Sequence, residues 1–220
     1  MNVIYPYLAV AFTLMVTLLN YKNQRKHTDD FTATMNYFLW FFILFLVGPI
    51  LGIAASGEPL PETLVTLGFR SGRMGLGLLL SGIGVPLTLF LSFHASRDER
   101  IRTTYPFSKR ACSKPGLFVI FETTYLLFYY IPWEFLFRGL LFFPLIPHVG
   151  LWTALSIQTI ISTLYHIGHP DTEITGALLG GFVYGIVAYT TGSIIYPIFL
   201  HALLGISTDT FIYLRYHRTR

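Results

Sequence analysis

A few side chains able to move protons or carry charge sit in three short stretches of an otherwise greasy sequence. In "WEFLFRG", Glu134 and Arg138 are four residues apart. On a helix they share one face, with the acid first, the favourable order for an ion pair. In "YHIGHPDTE", His166 and His169 are three apart, Gly168 and Pro170 interrupt the helical pattern, and Asp171 and Glu173 follow in a short turn. In "FLHALLGISTD", His201 stands among apolar neighbours, with Gly205 and Asp209 one and two turns further along the same face. A carboxylate with two or three imidazoles can activate a water molecule and can stabilise the oxyanion that forms when water attacks an amide. The same residue types can bind a metal. The zinc-protease pattern HExxH and the serine-hydrolase pattern GxSxG are both missing from the sequence.

These groups gain meaning from what must hold them. Of 220 residues, 53% are hydrophobic and 12% charged, against about 25% charged in a soluble domain. Mean hydropathy is +0.58. Together these values place the chain in a membrane. The single cysteine, Cys112, excludes an internal disulfide. The net charge of +4 comes from short basic loops between apolar runs, which fits cytoplasmic loops of a membrane protein and not a nucleic-acid surface. Inside a bilayer an ionisable side chain is costly and points to function. Each group also has a plainer reading: a buried ion pair at Glu134 and Arg138, a wet interfacial loop at His166 and His169, a packed neutral imidazole at His201.

A membrane-crossing helix needs about 20 apolar residues. The sequence predicts an all-α, polytopic bundle of about seven spans, forming a single membrane domain. They cover Val3–Leu19, Tyr37–Ala55, Met74–Phe93, Tyr125–Ile146 within a longer apolar run from Leu117, Val149–Ile167, Ile174–Tyr189 and Ile194–Leu214. The segment Gly57–Arg73 reads as a loop with room for a short interfacial helix. Three basic clusters fall on one side: Lys22, Arg25 and Lys26; Arg97 through Lys114; Arg215, Arg218 and Arg220. The expected orientation is N-terminus outside and C-terminus cytoplasmic, in the plasma membrane. Residues 1–115 hold three spans with little interior polarity, so chemistry concentrates in 116–214. Glu134 falls near mid-membrane, with His201 about 10 Å and His166 about 25 Å from the outer face at ~1.5 Å per residue. Their convergence requires tilt or kinks, for which Pro132 and Pro197 are available. Gly176, Gly180, Gly181 and Gly185 recur at the small-residue spacing that lets helices approach.

The three stretches, in this order, resemble the CAAX prenyl protease and bacteriocin-processing family of type II CAAX proteases. That family carries EExxxR, then FxxxH, then HxxxN or HxxxD on successive membrane helices. "WEFLFRG" matches the first motif at Glu134 and Arg138, "YHIGH" the second at Tyr165 and His169, and "HALLG" the third at His201. The likeness covers roughly 115–210. It implies a glutamate-dependent intramembrane endopeptidase in which a glutamate and the second-motif histidine polarise water, the third-motif histidine steadies the oxyanion, and the arginine holds the glutamate helix. Trp133 stands where the first glutamate of the motif would be, and Gly205 where the Asn or Asp would be. A branch with "WEF-x-FRG", then "YHxGKP" and a glutamate, is similar to this chain; there the shared histidine matches His166, and Glu173 is available to supply the missing carboxylate. The expected catalytic set is therefore Glu134 as base, His166 or His169, and His201, supported by Arg138 and Glu173. The resemblance implies no cofactor, with zinc left open, and a membrane-associated peptide or protein substrate. Oligomeric state stays open. The alternatives are a non-catalytic relative acting in immunity, scaffolding or chaperoning, and a transporter or proton relay.

Overall fold

The computed structural model describes residues 4–218. Val3, the expected start of the first span, and Arg220 of the C-terminal basic cluster lie outside the described residues. Among them are nine α-helices and no strand: α1 Ile4–Arg25, α2 Asp30–Ala55, α3 Leu60–Thr66, α4 Met74–Ala95, α5 Glu99–Thr104, α6 Pro115–Val149, α7 Leu151–Leu164, α8 Asp171–Thr191 and α9 Ile195–Arg218. Six of these (α1, α2, α4, α6, α8, α9) are long and apolar enough to cross a membrane. The seventh expected span, α7, has 14 residues, about 21 Å at ~1.5 Å per residue against a hydrocarbon core of about 30 Å. The protein is a polytopic α-helical bundle.

Helix starts follow local chemistry. The Asp29 side chain accepts the Phe31 and Thr32 N–H groups and so begins α2 seven residues before the apolar run at Tyr37. Pro170 precedes α8, so Asp171 and Glu173 form its first turn and not the short turn that the sequence suggested. Acidic residues suit the positive end of a helix. Pro132 does not end α6. The helix passes it with π-helical turns on either side, Leu126–Tyr130 and Phe135–Phe142, which accommodate a missing N–H donor.

The chain divides into two compact units, with one division falling between Trp133 and Glu134. The first comprises the described residues up to Thr63 and Tyr105–Trp133. Its interior is aromatic. Phe38 stacks on Tyr125 at 4.6 Å, and Phe41 stacks on Trp133 at 5.9 Å. Trp133, at the position of the first glutamate in the family motif, is buried in this cluster.

The second unit, Leu64–Thr104 with Glu134 onward, holds every candidate site residue. Here α4 and α9 pack through glycine notches. A Cβ on Gly77 would lie 2.1 Å from the Tyr196 ring, and one on Gly84 would lie 2.7 Å from Leu200. Further along, Ser207 donates to Ser92 at 2.7 Å and Ser92 donates to the Leu204 carbonyl at 2.9 Å. Of the four glycines expected to pack in α8, Gly181 and Gly185 meet α7, where the Gln158 amide donates to the Gly181 carbonyl at 2.9 Å. A Cβ on Gly176 would meet nothing, and one on Gly180 would meet only Tyr184 of the same helix.

Gly77→Val should therefore force α4 from Tyr196 and lower stability by about 1–3 kcal/mol, read as a fall in the thermal midpoint of the detergent-solubilised protein. Gly82→Val, where a Cβ meets nothing, should leave the midpoint unchanged. Equal midpoints for the two variants would contradict the notch packing.

Candidate active site

Glu134 closes the α-helical turn Ile131–Glu134 of α6, and Arg138 lies in the π-helical stretch that follows. Their side chains are 0% and 2% exposed and meet at 3.2 Å, Oε2 to Nε. The other carboxylate oxygen, Oε1, accepts from Nδ1 of His201 on α9 at 2.6 Å. Glu134 is thus shared between a guanidinium and an imidazole. Such groups are tolerated in an apolar interior only when paired. Sequence reasoning missed a fourth member. The Tyr184 ring of α8 lies 5.5 Å from the His201 ring, and the Arg138 guanidinium lies over it at 5.7 Å. The available signal was its place among the α8 glycines.

A second set occupies the connection between α7 and α8. The span expected to run through Ile167 ends at Leu164, which puts His166 and His169 in the turn outside it. Gly168 reverses the chain there with φ 93°, a conformation open to glycine. The last carbonyls of a helix lack intrahelical partners. The His166 ring fills that need at α7, with Nδ1 2.9 Å from the Ser162 carbonyl. A carbonyl only accepts, so Nδ1 carries the proton and Nε2 of the neutral ring holds the lone pair. Nε2 lies 4.0 Å from Oε1 of Glu173, and the same oxygen is 2.9 Å from His169 Nδ1. The rings of His166 and His169 meet edge-on at 5.7 Å.

Burial pushes the His166 imidazole down to about 4; Glu173 and the Ser162 carbonyl pull it back up, and His169 and His201 depress it further. His201 is thus within electrostatic range of His166, which brings the two sets into one neighbourhood. All the expected site residues fall in these two sets: Glu134, Arg138 and His201 in one, His166, His169 and Glu173 in the other. Glu134 has no exposed surface, whereas the His201, His166, His169 and Glu173 side chains keep between 16% and 24%. Asp171 instead forms an exposed pair with Arg100 at 3.4 Å, and Asp209 is buried in α9. Among the described residues, no group of three or more His, Cys, Asp and Glu side chains is arranged to hold a metal ion.

Residues 115–206 match the model of the Type II CAAX prenyl endopeptidase Rce1-like family. Over these residues the chain is similar to that family. The matched stretch contains both sets of side chains, and the family is one of proteases. With its six apolar helices, the chain is an integral, multi-pass membrane protein. No curated protein and no solved structure matches it.

Removing the charge of Glu134 strands a buried guanidinium. Glu134→Gln should cost about 3 kcal/mol of stability, measured by unfolding in detergent, and Arg138→Met added to it should recover most of that loss. If Glu134→Gln unfolds at the wild-type midpoint, the pair is not the staple that its burial suggests.

His166 has a folded-state pKa below its unfolded value, so its neutral form favours the fold at high pH. That contribution is complete above about 6.5 and is lost as pH falls toward about 4. His166→Gln should flatten the decline of thermal midpoint between pH 6.5 and pH 4. An unchanged decline would place the acid sensitivity elsewhere.

Proposed function

We propose that the chain is an intramembrane endopeptidase in which the two sets divide the work. Glu173 and His166 activate water, and His201 receives the charge that develops on the substrate carbonyl. The observation that carries this reading is the contrast in side-chain exposure: Glu134, the base expected from sequence, has none and contacts Arg138 and His201, while the side chains of Glu173 and the three imidazoles keep some surface, although the Glu173 Oε2 atom is itself buried. Glu134 then serves as the anchor of His201.

In the proposed cycle a water molecule between Glu173 and His166 gives up a proton to the His166 Nε2 lone pair as its oxygen attacks the scissile carbonyl. Nδ1–H stays on the Ser162 carbonyl and fixes the ring. The carbonyl π electrons move to oxygen. His201 is held by Glu134 through Nδ1, and a proton on its Nε2 would donate to that oxyanion. The cationic Arg138 offsets the charge of Glu134 near the place where negative charge develops. Collapse of the tetrahedral intermediate breaks the C–N bond, and the proton held by His166 passes to the leaving amine. His169 holds Glu173 in place through its 2.9 Å contact.

Counting the short α7 as a seventh crossing, the basic clusters favour an N-terminus outside and a C-terminus in the cytoplasm, in the plasma membrane. The turn bearing His166 and His169 then faces the cytoplasm. The basic segment before residue 104 meets the start of α8 there, through Arg100 with Asp171 and through the Thr172 hydroxyl donating to Asp98 at 3.3 Å. A site opening on that side suits the C-terminal tail of a cytoplasmic protein tethered to the bilayer by a lipid, the substrate class implied by the family match over 115–206.

The test is cleavage of prenylated and unprenylated peptides by the full chain in nanodiscs. Glu173→Gln and His166→Ala should each lower turnover by at least about 100-fold with thermal midpoints near wild type at neutral pH. Full turnover in Glu173→Gln with loss in Glu134→Gln would return the base to Glu134. Absence of cleavage of any peptide by the wild type would favour a non-catalytic relative, consistent with Trp133 buried among aromatics.

A further inference from the structure

At the other end of α8 from Glu173, the loop before α4 lies against the connection between α8 and α9 and borders an open cleft of about 780 Å³. Its walls are Arg70, Arg73, Tyr189, Thr190 and Thr191, with Gly72 and Gly192 between them. The loop is held firmly. The Arg73 N–H donates to the Thr191 carbonyl at 2.7 Å, the Ile194 N–H to the Gly68 carbonyl at 3.0 Å, and the Tyr196 hydroxyl to the Ser71 carbonyl at 2.7 Å. Gly72, at φ 55°, approaches so closely that a Cβ there would lie 2.1 Å from the Thr191 carbonyl oxygen.

This clamp fixes the Arg70 side chain and the Arg73 backbone on one wall. Arg70 is oriented by its Nε, which donates to the Gly192 carbonyl at 2.8 Å and leaves the two Nη groups of its fork for a ligand. Arg73 immediately precedes α4 and lines the same cleft. Among the described residues neither arginine pairs with a carboxylate. Glu58 and Glu62, the acids of the same inter-span segment, do not line the cavity. The surroundings are membrane-like: Met74 and Leu78 at the start of α4, Tyr189 near the end of α8 and Ile195 at the start of α9 are all exposed. Tyrosine and arginine beside an apolar band mark the headgroup level of a bilayer.

We propose that Arg70 and Arg73 form a phosphate-binding site at this end of the bundle. Phosphate suits the fork of Arg70 geometrically and the paired charges electrostatically. Two sources present that group here, the headgroup of an anionic phospholipid and free phosphate.

The test uses the delipidated full chain in a neutral detergent. Native mass spectrometry reads retention of added phosphatidylglycerol, and a parallel titration reads binding of inorganic phosphate. Wild type should retain one phosphatidylglycerol per chain. Arg73→Gln, which leaves every hydrogen bond of the clamp intact, should weaken binding about fivefold, and Arg70→Gln with Arg73→Gln about 25-fold, at about one surface arginine's contribution each. Lipid retained in millimolar phosphate identifies the headgroup as the source. Inorganic phosphate binding with the same arginine dependence, and displacing the lipid, identifies free phosphate. The proposal is overturned if wild type binds neither, or if a folded Arg73→Gln protein binds both as wild type does.

Discussion

Everything in the second unit is arranged around one carboxylate that has no access to solvent. Glu134 sits in a helix inside a largely apolar bundle, and an ion there without partners would cost several kcal/mol. Both of its oxygens are engaged, one 3.2 Å from Arg138 and the other 2.6 Å from His201. The pair with Arg138 is local to α6. The contact with His201 ties α6 to α9. α9 also packs against the glycine notches of α4 and carries Tyr196 to the loop before it, so the buried contact joins α6 to a helix pair held by shape.

The same burial bears on chemistry. A base has to reach water, and an oxyanion donor has to reach substrate. An enclosed carboxylate does neither, but it can hold the imidazole that does, as the buried acid does in a catalytic triad. The other carboxylate, Glu173, owes its different character to position. It lies in the first turn of α8, just past the chain reversal at Gly168, where the bundle interior gives way to a connecting turn. The difference between the two acids is one of location along the helices.

Much of this was legible from residue type and spacing. The i, i+4 spacing of Glu134 and Arg138 predicted their contact, and the apolar runs located the spans to within a turn or so at most ends. The partner of Glu134 was not legible, because depth estimates put His201 and His166 on opposite sides of it and spacing within one helix says nothing about which neighbour faces it. Tyr184 stayed hidden for the same reason: an aromatic among glycines reads as packing. The role of Trp133 was visible only as a departure from the motif; its stacking on Phe41 supplies a physical account, since an indole fills an aromatic core that would not take a carboxylate. The start of α8 was misjudged because Pro170 looks like a terminator when it is in fact the residue before a helix.

One helix now connects these features. From Asp171 to Thr191, α8 spans 21 residues, about 32 Å at ~1.5 Å per residue, close to the thickness of the hydrocarbon core. It carries Glu173 at one end, Tyr184 beside His201 and Arg138 in the middle, and Thr191 at the wall of the arginine cavity at the other. A helix of this length has little freedom to slide along the membrane normal, and what freedom it has is shared by everything attached to it. A phosphate held by Arg70 and Arg73 would set the depth of the far end. The depth of Glu173 would follow from the length of α8 alone, which would place it at the opposite boundary of the bilayer.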